Sequence, residues 1–167
     1  KSFADKTNFL IEDGLTGIVG PNGCGKSNIV ESLRWVMGET SAKSMRGSGM
    51  EDVIFSGTSN KASKNIAEVS VSVANKNNEG PVQFRELDEI NVRRKIEKDK
   101  GSKFYINNKE VRARDAQMFF ADLSTGAHSP SMISQGRIGA LVTAKPTDRR
   151  AILEEAAGIS GLHVRRH

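Results

Sequence analysis

The residues with the most chemistry to offer run Thr16-Gly-Ile-Val-Gly20-Pro-Asn-Gly23-Cys-Gly25-Lys26-Ser27. They contain Gly, four residues, then Gly-Lys-Ser, the spacing of a phosphate-binding loop. Gly20, Gly23 and Gly25 permit backbone turns that make consecutive N–H groups converge on phosphate oxygens. The loop feeds a helix N-terminus, whose unpaired N–H groups and partial positive charge favour an anion. Lys26 can reach the β- and γ-phosphates, and the Ser27 hydroxyl is placed to ligate Mg²⁺. Nucleotide contacts are therefore expected along Asn22, Gly23, Cys24, Gly25, Lys26, Ser27 and Asn28.

Other reactive side chains offer less. His128, His163 and His167 lack ligand spacing and have no Asp/Glu cluster beside them. Cys24 is the single cysteine, which excludes a disulfide framework and a cysteine metal site. It sits where backbone rather than side chain meets phosphate. Glu154-Glu155 is expected to face solvent or a partner on its helix.

The loop has to be held between a strand and a helix. Leu15 to Val19 reads as a short buried strand ahead of it, and Lys6 to Ile11 as a second, turned at Glu12-Asp13-Gly14. Behind it, Ile29, Val30, Leu33, Val36 and Met37 recur at helical spacing, and Gly38 stands at the C-cap. Glu39 to Met50 reads as a polar loop carrying Arg46 between Met45 and Gly47. Val53-Ile54-Phe55 suits a short buried strand. Ala67 to Ala74 alternates, with Val69, Val71 and Val73 on one face. Ile90 to Ile96 alternates too, with Arg94 the exception, and Lys98 to Gly101 turns it back into Lys103 to Ile106. Asn107-Asn108 suits a tight turn, because Asn tolerates the left-handed conformation. Arg114 to Leu123 reads as a helix, Ser124 to Ser134 as irregular, and a further helix opens at Pro146-Thr147-Asp148.

The 167 residues suit one domain with a real core. Apolar content is 37%, charged content 27% and net charge +5, a mildly basic balance that makes an acidic partner plausible. A solvated basic surface explains the charge equally well. No run approaches the roughly 18 apolar residues that span a membrane, and Lys1-Ser-Phe-Ala-Asp-Lys6 does not read as an apolar signal segment. The chain does not start with Met, which suggests a piece of a longer one. Seven Phe, one Trp and one Tyr are few for a stacking platform on single-stranded nucleic acid.

Several stretches together resemble one family. Lys1-Ser-Phe-Ala-Asp-Lys-Thr, Gly20-Pro-Asn-Gly-Cys-Gly-Lys-Ser-Asn-Ile, Ser44-Met-Arg-Gly, Met50-Glu-Asp-Val-Ile-Phe-Ser-Gly, Ser134-Gln-Gly and Arg149-Arg-Ala-Ile-Leu-Glu-Glu-Ala-Ala-Gly-Ile159 resemble bacterial SMC (structural maintenance of chromosomes) proteins. Phe104-Tyr-Ile-Asn-Asn-Lys is similar to the family's hairpin, with Asn108 where Gly is usual. The resemblance implies an α/β fold, the N-terminal lobe of a P-loop NTPase head of ATP-binding-cassette type. A mixed sheet around the phosphate helix and an antiparallel layer are expected. Residues 1–159 would form the lobe and 160–167 the start of a coiled coil. ATP and Mg²⁺ are the implied cofactors. Lys26 and Ser27 would be the phosphate and Mg²⁺ residues, and Gln135 the glutamine contacting Mg²⁺ and the γ-phosphate region. Arg46 would be the head arginine linked to DNA-stimulated hydrolysis. The implied partners are the C-terminal half of the same head, a second head, double-stranded DNA and a kleisin-type subunit, with no membrane. The implied location is cytoplasmic, at the nucleoid.

Hydrolysis also needs an acidic Mg²⁺ partner and a group that positions water. Met118-Phe-Phe-Ala-Asp122 is followed by Leu123 rather than Glu, and its periodicity is that of a helix. Leu123-Ser-Thr-Gly-Ala127 faintly echoes the family's signature sequence but precedes the glutamine. The catalytic acid and the signature are thus expected elsewhere, and this chain alone is expected not to hydrolyse ATP. Two other readings stay open: a head fragment of a repair ATPase of the RecN or RecF kind, and an interaction module with a vestigial loop.

Overall fold

The computed structural model describes residues 2–75, 82–123, 132 and 142–150. Its centre is a four-stranded antiparallel meander laid across two helices, in the order β1 (Ile66–Ala74), β2 (Glu89–Glu97), β3 (Gly101–Ile106) and β4 (Lys109–Val111). The helices are α1 (Lys26–Val36) and α2 (Ala113–Asp122).

Alternation in the sequence becomes two-sidedness in the sheet. β1 and β2 pair along their whole length, from Ile66 opposite Glu97 to Ala74 opposite Glu89. Ile90, Val92, Arg94 and Ile96 point inward from β2, and Phe104 and Ile106 continue that face on β3. The inner face meets Val36 of α1 and Phe119 and Phe120 of α2 in one cluster, and Trp35, Met45 and Ile54 in a second. Each fully buried Ile or Val contributes about 1.5–3 kcal/mol. The two-residue turn at Asn107 (φ 47°) and Asn108 (φ 66°) is left-handed at both positions, the geometry a tight hairpin requires. It delivers β4, the return strand of the hairpin that the resemblance implies.

Several expectations are corrected. Neither Lys6–Ile11 nor Leu15–Val19 forms a strand, so the expected mixed sheet is not built among the described residues. A strand exists only by bonding to a neighbour, and none of the described strands runs beside these segments. Leu10, Leu15 and Val19 stand 83%, 99% and 92% exposed. Val53-Ile54-Phe55 is not a strand either. Residues Met50–Val53 make a 3₁₀ turn, because the Asp52 carboxylate accepts from the Ser48 and Gly49 N–H groups at 2.6 and 3.0 Å. Ile54 and Phe55 are buried all the same. The loop before them is less polar than it reads: a 3₁₀ turn at Lys43–Met45 drives Met45 into the core. On α1 it is Trp35 and Val36, together with Glu31, that are buried, while Ile29, Val30 and Leu33 are half-buried.

α2 matches its expected span within a residue. Asp115 accepts from the Arg112 N–H at 3.2 Å, satisfying a donor at the helix start. Residues 146–150 are helical, as expected at Pro146. The expected irregular stretch 124–134 (Met132 apart), Gln135 and the tail 151–167 lie outside the described residues. Among the described residues no helix is long and apolar enough to cross a membrane.

Candidate phosphate-binding site

Gly23 (φ 82°) and Gly25 (φ 97°) both adopt the left-handed backbone that the loop motif calls for. Gly25 is the N-cap of α1, with no side-chain cap bond, and the Asn28 N–H bonds back to its carbonyl at 2.9 Å. Lys26, the first helical residue, folds across the loop. Its Nζ donates to the carbonyls of Gly20 and Pro21, each at 2.6 Å. A Cβ at Gly20 would approach Cys24 Sγ to 3.0 Å, so the ring leaves little room there. Cys24 itself is an exposed free thiol. Ser27 lies half-buried on the same first turn, and Asn22 lies exposed on the loop.

Arg46 joins this group from outside. It holds a left-handed backbone (φ 52°) at the end of the Lys43–Met45 turn, with its N–H bonded to the Lys43 carbonyl at 3.0 Å. Its Nη2 donates to Asn28 Oδ1 at 3.0 Å, and its Nε forms an ion pair with Glu31. Asn28 Nδ2 in turn donates to Ser2 Oγ at 2.6 Å. The segment Ser2–Thr7 thus docks against the loop, and Phe3 lies where a Cβ on Gly25 would meet it at 3.6 Å. Beside it opens a cavity of about 310 Å³ lined by Ser2, Phe3, Asp5, Phe55, Thr58 and Lys61, among others. Asp5 closes one side by pairing with Lys61; the hydrogen bond and charge of Lys61 hold its carboxyl below its ordinary range, against a small opposing effect of burial.

The far end of α1 is braced by a residue that sequence reasoning missed. Arg94, 3% exposed, donates through Nη1 to the carbonyls of Trp35 (2.8 Å) and Glu39 (2.6 Å) and through Nε to Ser102 Oγ (2.8 Å). Its guanidinium lies 4.6 Å from the ring centres of both Trp35 and Phe104. Burial pushes its pKa down to about 10, partly opposed by Glu39, which leaves it charged at neutral pH. An arginine on the inward face of an otherwise apolar strand was the available signal. Gly38 (φ 107°) completes this end: its N–H bonds the Trp35 carbonyl and the Glu39 N–H bonds the Arg34 carbonyl, at 3.2 and 3.1 Å. Gln117 of α2 donates to the Gly38 carbonyl at 2.8 Å.

The structure therefore brings Asn22 to Asn28 and Arg46 together at one helix end, while Gln135 lies outside the described residues. Among the described residues no three His, Cys, Asp or Glu side chains cluster as a metal cage would need. One end of α1 therefore gathers a helix N-terminus, two left-handed glycines and the cationic side chains of Lys26 and Arg46, features that anion-binding loops use.

A glycine loop closed on a helix N-terminus, under an antiparallel layer, defines the N-terminal lobe of a P-loop NTPase head. Residues 1–137 match the model of the RecF/RecN/SMC N terminal domain, and the chain belongs to that family. It is 54% identical over 167 residues to the chromosome partition protein Smc of Rhodopseudomonas palustris and 57% identical to that of Cereibacter sphaeroides. All of this chain is covered in both comparisons, but it spans only 14% of each relative. A solved SMC ATPase chain, studied for ATP-driven dimerization and DNA-stimulated activation, superposes with a TM-score of 0.73 at 29% identity. That superposition covers 87% of this chain and 86% of the other. An Smc head bound to the C-winged helix domain of ScpA gives 0.75 at 28% identity, over 84% of this chain and 42% of that one.

Proposed function

We propose that the chain is the ATP-binding half of an SMC head, which engages a second head on binding ATP and so clamps or moves DNA during chromosome condensation and segregation. The observation that carries this is the loop: Lys26 lies folded over it, with Gly23 and Gly25 in the conformations phosphate binding requires. The polyphosphate would lie along Asn22 to Asn28, with the Lys26 ammonium exchanging the two loop carbonyls for phosphate oxygens. The base would enter the cavity beside Phe3, which opens next to the loop and has the volume for it. Ser27 would hold Mg²⁺ as one of few protein ligands, in keeping with an ion that keeps its waters and phosphates. Gln135 is proposed as its second protein contact. When bound, the ion neutralises charge on the phosphates.

Chemistry would need the C-terminal half of the same head, so this chain alone would bind nucleotide weakly and hydrolyse none. Residues 1–159 would be the lobe, and 160–167 the beginning of a coiled coil. Further partners are a second head, duplex DNA held through its phosphates, and a kleisin-type subunit, supported by the solved heads bound to ScpA domains. The place of action would be the cytoplasm, at the nucleoid. The full-length protein should hydrolyse ATP faster when duplex DNA is added, and Lys26→Ala should remove at least about 90% of that activity, the usual scale for a phosphate-clamping group. An Ala variant as active as the wild type would refute the assignment.

A further inference from the structure

Glu31 carries no role in the reading above, yet it is one of few buried charged groups among the described residues, at 7% exposure. It lies one turn into α1, on the side that faces the Lys43–Met45 turn. An uncompensated carboxylate there would be costly, and its compensation is the guanidinium of Arg46. The two partners are unequal: the Arg46 side chain is 59% exposed, whereas that of Glu31 is 9% exposed. The buried member is therefore the fixed one, and it sets the direction of the exposed one. Met45, buried at 3%, and the left-handed backbone at Arg46 fix where that side chain starts. Glu31 and Asn28 Oδ1 fix where it ends, on the first turn of the phosphate helix.

We infer that Glu31 is a positioning residue: its buried carboxylate holds Arg46 beside the first turns of α1, which places a second cation besides Lys26 near the end of the helix where the phosphates would bind. Asn28 extends the same network to Ser2 and hence to the segment lining the cavity. This rests on the loop being a nucleotide site. It adds that the site's cation set includes one from a separate turn, aimed by a residue that touches no phosphate.

The test is a double-mutant cycle in the full-length protein, with kcat and KM for ATP measured alongside thermal unfolding. Glu31→Gln should lower kcat/KM by about tenfold, the scale of one charge-assisted hydrogen bond. In an Arg46→Ala background the same substitution should change it less than about twofold, because nothing remains to be aimed. Equal losses in both backgrounds, or no loss in either, would overturn the role. Should Glu31→Gln fail to fold, Glu31→Asp keeps the charge with a shorter reach, and its loss must vanish in the same background. A wild type that neither binds nor hydrolyses ATP would take down the nucleotide reading itself, and this inference with it. An active wild type with additive variants would remove only the role of Glu31.

Discussion

At the C-terminal end of α1, Gly38 is walled in by Gln117, and a buried arginine holds the carbonyls of Trp35 and Glu39. At the N-terminal end, Gly25 faces only the outer atoms of Phe3 and Ser2, and the segment leading into it forms no strand. One helix is thus anchored by its structural end and left accessible at its chemical end. The division follows from what each end must do. Converging N–H groups serve a ligand only if no protein group already occupies them, so the phosphate end cannot be filled by packing. The opposite carbonyls have no such duty and can be fully satisfied inside. Local stability should accordingly fall along α1 from Trp35 toward Gly25.

The sharpest way to break this contrast is Arg94→Ala. It strips partners from two buried carbonyls and empties the space between two aromatic rings, and should cost about 3–5 kcal/mol in urea unfolding of the full-length protein. Arg94→Met, which keeps the stem between the rings, should recover part of that. A loss below about 1 kcal/mol would mean the anchor lies elsewhere.

Next comes a matched pair of glycines. Both are left-handed, so each alanine carries a backbone penalty of about 1–2 kcal/mol. At Gly38 the new Cβ would also stand 2.3 Å from Gln117 Cγ, whereas at Gly25 it would meet Phe3 at an ordinary 3.6 Å. Gly38→Ala should therefore destabilise by about 1 kcal/mol more than Gly25→Ala, while nucleotide affinity should fall further for Gly25→Ala. Chemical denaturation and titration with a fluorescent ATP analogue read the two quantities. The opposite ranking in either would collapse the distinction between the ends.

The smallest effect concerns the outermost support of the chemical end. Lys61 holds the Asp5 carboxyl below its unfolded range, so the pair contributes above that range and its contribution disappears as pH falls through the lowered value. Between about pH 5 and pH 3, hydrogen exchange in Ser2–Thr7, corrected for intrinsic rate, should rise in the wild type toward the level of Asp5→Asn. At neutral pH the Asn variant should exchange faster in this segment alone, with its unfolding midpoint unchanged. A segment that exchanges identically in both proteins at neutral pH would show that the ion pair does not hold it.

Legibility in the sequence followed the range of the forces involved. The loop, α1, the alternation of β1 and β2 and the Asn107-Asn108 turn are local, and each could be read from neighbours in the chain. Leu15 to Val19 has the composition of a strand but lacks a partner strand among the described residues, and no local pattern reports a partner. Val53 looked like a strand because its apolar neighbours are buried; the Asp52 carboxylate bonding to N–H groups three and four residues earlier decided for a turn. Arg46 was singled out by resemblance, but what places it is Glu31, fifteen residues earlier on the other side of a turn. Arg94 was legible only as a break in a pattern. Its meaning depended on Trp35 and Glu39, more than fifty residues away.

The hydrogen bonds from Lys26 to Gly20 and Pro21 give the site a threshold. The ammonium bridges two carbonyls of its own loop. An incoming anion competes against two carbonyls already held at 2.6 Å. A single weakly charged oxyanion offers little in exchange, whereas a chain of phosphates can replace both contacts and still reach the N–H groups behind them. Selectivity for polyphosphate over simple anions would then reside in the lysine's alternative partners as much as in the loop.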